Sequence, residues 1–151
     1  MPWLSLVFLF GAWIFSRMTT NSEKSYDSVP FGNVFQEAEV HYGLPRFLLV
    51  EVARAESNFN PQAQSNKGAQ GIMQIVPRWH PDVNPFDPVA SIWYAAKYLT
   101  ILYANTGSWR LALAAYNWGI GNLKEFGIAN APKETKNYVA KITSNLPYNV
   151  T

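Results

Sequence analysis

Residues 48–61 read LLVEVARAESNFNP, and the fold turns on how this stretch is placed. From Leu48 to Ser57 nothing breaks a helix, while Asn58 and Pro61 stop one. At about 100° per residue counted from Arg46, the charged Arg46, Arg54 and Glu51 share a sector of roughly 140°. Glu56 falls at about 280° on the same count, between Val52 and Leu49, in the middle of the apolar face. Burial beside aliphatic side chains disfavours a carboxylate and raises its pKa. The C-terminal end of a helix pushes the same way. A carboxyl group kept protonated near neutral pH is what a general acid needs. The plain alternative is a glutamate that pairs with a distant cation or escapes to solvent in the last turn. Helix geometry alone leaves both open.

The punctuation on either side is helical. Phe31, Phe35, Ala38 and Tyr42 recur at helical spacing, with Gly43 placed to end that helix and Pro45 to open the next. Residues 58–88 hold many prolines and two nearby glycines and read as a long irregular segment, of the kind that is usually functional. Asp87-Pro88 is an N-cap followed by proline at the first helical position. Behind it run Val89, Ile92, Trp93, Ala96, Leu99 and Tyr103 as an apolar stripe, ended by Gly107. Ser108 then caps WRLALAAYN, and a last helix after Pro132 places Thr135, Tyr138, Val139, Ile142 and Leu146 on one face. No run alternates as a half-buried strand does. The expected fold is all-α, a single domain over residues 31–151.

Composition narrows the function. The 151 residues are 48% hydrophobic and 15% charged, enough apolar content for one packed core. A net charge of +2 does not argue for nucleic acid. With no cysteine, disulfides and thiolate metal sites are excluded. His41 and His80 are the only histidines and neither has a ligand-spaced partner, so no metal is expected. Residues 1–16, MPWLSLVFLFGAWIFS, hold no charge and carry Trp3 and Trp13 near the ends. Residues 1–18 are therefore expected to be a membrane anchor, with a cleaved signal as the alternative, and residues 19–30 a polar linker. Arg17 and Lys24 follow the apolar run, but with Glu23 and Asp27 close by these two cations give the positive-inside rule only a weak pull toward the cytoplasm.

Three further motifs bear on Glu56. GAQGIMQIVP (68–77) sets Gly68 and Gly71 three apart, where backbone can approach a ligand closely, ahead of Met73 and Gln74. The Gln74 amide offers a donor and an acceptor. ALAAYNWGIGNL (112–123) puts Tyr116 and Asn117 at a helix end beside small residues, where they either line a groove or pack and cap. ETKNYVAKI (134–142) lies in the last helix.

In this order and spacing, ESNFNP, GAQGIMQIVP, ALAAYNWGIGNL and ETKNYVAKI resemble the SLT-type lytic transglycosylases, whose lysozyme-like domain cleaves peptidoglycan. The resemblance spans about residues 31–146. It implies Glu56 as the sole catalytic acid/base, with Ser57, Gly71, Met73 and Gln74 as substrate contacts. It also implies Tyr116 and Asn117 facing the carboxylate and Tyr138 closing the site, with no cofactor. Trp118 stands where the family usually has a small residue. Ser91-Ile92 and Ala95 replace its usual Asn-Ile and glycine.

The activity so implied is non-hydrolytic cleavage between N-acetylmuramic acid and N-acetylglucosamine, giving 1,6-anhydro ends. The partners implied are peptidoglycan glycan strands, the membrane through the N-terminal segment, and a phage particle or a secretion or conjugation apparatus. Two alternatives stand beside it. A hydrolytic muramidase of goose-type-lysozyme kind would need a second carboxylate, for which Asp82, Asp87, Glu125 and Glu134 are available. A glycan-binding assembly component would need no turnover.

Overall fold

A computed structural model describes residues 24–150. The expected apolar segment at residues 1–18 lies outside the described residues. Within them the chain is helical without a strand, and sheet-like pairing is limited to isolated bridges from Gln70 to Gln64 and Ile75. Six α-helices follow in order: α1 (Gly32–Tyr42), α2 (Leu48–Ser57), α3 (Pro88–Thr106), α4 (Trp109–Trp118), α5 (Ile120–Phe126) and α6 (Lys133–Ser144). None of them is long and apolar enough to cross a membrane.

Helix α2 sits at the centre. Every residue from Leu48 to Ala53 is buried, as a helix enclosed on all sides must be. Its neighbours are α1, α3 and α6, and α4 closes the core between α3 and α6. Phe35, Leu49, Ile92, Leu99, Leu113 and Ile142 fill the space between these helices.

The start of α2 differs from the expectation at Pro45. The helix begins at Leu48, after a turn in which the Leu48 N–H donates to the Pro45 carbonyl at 3.0 Å. Phe47 takes a left-handed φ of 67° and has no side-chain cap of its own. The cap comes from α1. The buried Glu39 carboxylate, 1% exposed, accepts from the N–H groups of Phe47 (2.8 Å) and Leu49 (2.8 Å) and from the Tyr26 hydroxyl. Helix N-termini leave such N–H groups unsatisfied, and an anion there is favoured. The left-handed step also turns the Phe47 ring inward, where it stacks on Tyr26 at 4.3 Å.

Tyr26 belongs to a short 3-10 turn, Tyr26–Ser28, so the described part of the polar stretch 19–30 packs on the domain. Lys24 does likewise: its ammonium lies 2.8 Å from Glu51. Glu51, expected on a charged outer face, is buried between Lys24, Arg54 (3.3 Å) and the Asn145 amide (3.1 Å).

Other expectations shift in detail. The Asp87 side chain caps α3 through the Ala90 N–H at 3.0 Å. Along α3, Val89 and Tyr103 are exposed, and Ser91, Ala95 and Leu102 are buried in their place. Ser108 occupies the cap position of α4, but its side chain makes no capping bond. Helix α5 was not legible as a separate element.

The long segment between α2 and α3 is held from within. Gly71 has φ of 75°, and a Cβ there would lie 1.7 Å from the Pro85 carbonyl oxygen. That same carbonyl accepts from the buried Ser91 hydroxyl at 2.8 Å, which ties the segment to α3. Glycine at 71 is thus required by the approach of the chain to itself.

Candidate active site

Glu56 emerges from the last turn of α2, just before the chain reverses at Asn58 and Phe59, both left-handed. Its side chain retains partial exposure. Burial pushes its pKa from 4.5 up to about 7; the Tyr138 hydrogen bond opposes the rise and the charge of Glu134 adds to it. The Tyr138 hydroxyl, on α6, donates to Glu56 Oε1 at 2.7 Å. Burial and the nearby Glu56 charge hold the Tyr138 phenol well above its ordinary range, so it stays a donor.

Tyr116 comes in from the end of α4 and donates to the Met73 carbonyl at 2.9 Å. Burial, then the charge of Glu56, raises its phenol well above the ordinary range too. Asn117 Oδ1 accepts from the Thr135 hydroxyl at 2.8 Å, which fixes the amide from α6. Four elements therefore converge: α2, the segment after it, α4 and α6.

The other expected substrate contacts, Ser57, Gly71, Met73 and Gln74, also make bonds within the chain. Ser57 donates to the Ile72 carbonyl at 2.7 Å and pins the segment against α2. Gly71 and Met73 are buried, and Met73 presents only its carbonyl, to Tyr116. The Gln74 side-chain amide donates to the carbonyls of Gly71 (2.9 Å) and Ala63 (3.3 Å), and the residue takes a φ of 50°.

Beside this centre lies a cavity of about 950 Å³. Gln74, Tyr116 and Asn117 line it, as does Trp118, whose ring lies 6.1 Å from Phe126. The sequence reading did not foresee its other aromatic groups: Trp79, His80, Tyr94 and Tyr98. The one available signal was the cluster Arg78-Trp79-His80 directly after the MQIVP motif. Thr135, on the apolar face of α6, also orients Asn117.

Of the four candidate second carboxylates, none hydrogen-bonds Glu56 among the described residues. Asp87 is the α3 cap. Glu134 is exposed and pairs with Lys67 at 3.9 Å. Glu125 lies on the cavity wall and Asp82 is exposed. Among the described residues no three of His, Asp or Glu gather as metal ligands would. The centre can thus hold and release one proton next to an open, aromatic cavity.

The family model described as the transglycosylase SLT domain matches residues 33–139. Among curated relatives, the chain is 31% identical over 112 residues to a transglycosylase of Enterobacteria phage PRD1, covering 72% of this chain and 40% of that protein. It is 30% identical over 126 residues to a membrane-bound lytic murein transglycosylase F of Stutzerimonas stutzeri, covering 76% of this chain and 25% of the relative. The chain thus spans less than half the length of either. Among solved structures it resembles the 70 kDa soluble lytic transglycosylase of Escherichia coli, with a TM-score of 0.65 and 25% identity over 76% of this chain and 23% of that one. An inactive mutant of the lytic transglycosylase Slt from Pseudomonas aeruginosa shares the fold, with a TM-score of 0.64 and 23% identity over 74% of this chain and 22% of that one.

Proposed function

The chain belongs to the transglycosylase SLT family, and on that footing we propose that it is a peptidoglycan lytic transglycosylase with Glu56 as its single acid/base. The observation that carries this reading is the partly buried Glu56 carboxyl in the last turn of α2 with Tyr138 on one oxygen at 2.7 Å, where burial pushes its pKa up to about 7. Oε2 is then the oxygen left to carry the proton. Glu56 gives it to the glycosidic oxygen between N-acetylmuramic acid and N-acetylglucosamine. The C1–O bond breaks, and the acetamido oxygen of the substrate steadies the oxocarbenium-like centre. The carboxylate, now a base, removes the proton of the C6 hydroxyl, whose oxygen closes on C1. The product is a 1,6-anhydro sugar, and no water is consumed.

Hydrolysis normally uses a second carboxylate across the scissile bond; among the described residues the candidate whose charge reaches Glu56 is Glu134, which is exposed and paired with Lys67, and this supports the lyase reading. Tyr116 and Asn117 serve as substrate-facing groups. Ser57, Gly71, Met73 and Gln74 shape the wall behind them. In the cell, residues 1–18 anchor the chain in a membrane and residues 31–151 act on the wall, for local opening. A virion membrane is the second setting proposed for the same arrangement, a reading supported by a transglycosylase relative in a phage.

The test is mass spectrometry of the products released from purified peptidoglycan, with Glu56→Gln as control. Anhydro-muropeptides from the parent alone are expected. Reducing-end products would make the chain a hydrolase. No products from either protein would favour a glycan-binding assembly role.

A further inference from the structure

The cavity extends beyond what the acid requires. Glu56 is not among its lining residues; Tyr116 is the group that both lines the cavity and feels the Glu56 charge. Its volume of about 950 Å³ is at the upper end of the ~300–1,000 Å³ usual for ligand sites. Three elements contribute aromatic rings: the segment before α3 (Trp79, His80), α3 (Tyr94, Tyr98) and the end of α4 (Tyr116, Trp118).

Trp79 is 68% exposed, unusual for an indole that nothing forces outward. The Arg78 guanidinium sits 4.9 Å from its ring centre and covers one face. The rest is open. Beneath it, His80 Nδ1 lies 2.7 Å from the Tyr94 hydroxyl, and the imidazole also packs edge-on to Tyr98 at 4.8 Å. Burial holds His80 below its ordinary pKa, hence neutral. A neutral imidazole has one N–H and one bare nitrogen. If Tyr94 donates to Nδ1, Nε2 carries the hydrogen. If Nδ1 carries it, the phenol hydrogen of Tyr94 is free. Either tautomer leaves this pair with one donor to spare.

We infer that Trp79 with the His80–Tyr94 pair forms an N-acetylhexosamine subsite, remote from the bond that is cut, in which the indole stacks on the sugar ring and the pair donates to the acetamido carbonyl. The occupant is the same glycan strand that reaches Glu56, because Tyr116 and Asn117 line one continuous cavity with this site. Pyranose rings have an apolar C–H face that suits an indole, and an acetamido carbonyl is an acceptor without a charge. The subsite rests on the glycan reading of the cleft but not on the chemistry at Glu56.

The test uses the full chain carrying Glu56→Gln, titrated calorimetrically with chitohexaose, the β-1,4 hexamer of N-acetylglucosamine. Adding Trp79→Ala, or His80→Phe and Tyr94→Phe together, should weaken binding roughly fivefold or more each, the size expected for one lost stacking face or hydrogen bond. Trp79→Tyr should restore most of the affinity. Trp79 is exposed, so its loss leaves folding intact, and a thermal melt of each variant verifies this. Unchanged affinity in either Trp79→Ala or the variant with both His80→Phe and Tyr94→Phe overturns the subsite, as does failure of the Glu56→Gln protein to bind chitohexaose. If binding depends on Trp79 while the parent yields no anhydro products, the subsite stands and the proposed chemistry falls.

Discussion

The Tyr138 hydroxyl lies 2.7 Å from Glu56 Oε1, although 82 residues separate the two in the chain. Two opposed effects meet in this bond. Burial drives the carboxyl toward its protonated form, and the phenol partly restores the charge. The balance sets where the acid titrates.

Activity should therefore decline on the alkaline side around a pKa of about 7, because a general acid must begin protonated. In Tyr138→Phe the opposing bond is gone, so the alkaline limb should move to higher pH. Initial rates of peptidoglycan solubilisation across pH measure both. A limb that stays in place would assign the titration to another group.

Glu56→Gln should lower activity about 10²–10⁴-fold and stabilise the fold at alkaline pH. The folded pKa of about 7 exceeds the ordinary 4.5, so ionising Glu56 opposes folding. That cost is absent below the ordinary value, grows between the two, and is complete above the folded one. Discounted for partial exposure, it is about 2 kcal/mol. Urea denaturation of parent and variant below the ordinary pKa of 4.5 and at mildly alkaline pH should show curves that nearly coincide in the first and separate in the second.

Gly71→Ala should cost more than about 2 kcal/mol, from a left-handed backbone and a Cβ driven into the Pro85 carbonyl. The urea midpoint should fall without a change in slope. Gly68→Ala offers the comparison: its φ is also positive, but nothing lies within 4 Å of the added carbon. It should lose about half as much or less.

Glu39→Gln should destabilise by about 2–4 kcal/mol, since an amide turns a donor toward the N–H groups that a carboxylate accepts from. Tyr26→Phe, which removes only a hydroxyl, should cost about 1 kcal/mol. Thermal melts rank the two, and equal effects would refute the capping role given to Glu39.

The local signals served well where chain neighbours decide the structure. Gly43, Asn58, Asp87-Pro88 and Gly107 mark helix ends that the structure keeps. Glu56 stood out because a carboxylate on an apolar face is a local contradiction. What escaped notice depends on partners far along the chain. Glu51 reads as a surface charge until Lys24 and Asn145 close over it, and Pro45 reads as a helix start until Glu39 moves the cap to Phe47. The motif around Gly71 marked an important segment, but the reason for the glycine, the Pro85 carbonyl, is 14 residues away in the chain. The aromatic cavity was missed for the same reason, since its rings come from three elements.

Lys24 has a mechanical consequence. It grips Glu51 of α2 and the carbonyl of Asn145 at the end of α6 together. Tension applied to the chain ahead of residue 24 is thus borne first by the helices that carry Glu56 and Tyr138.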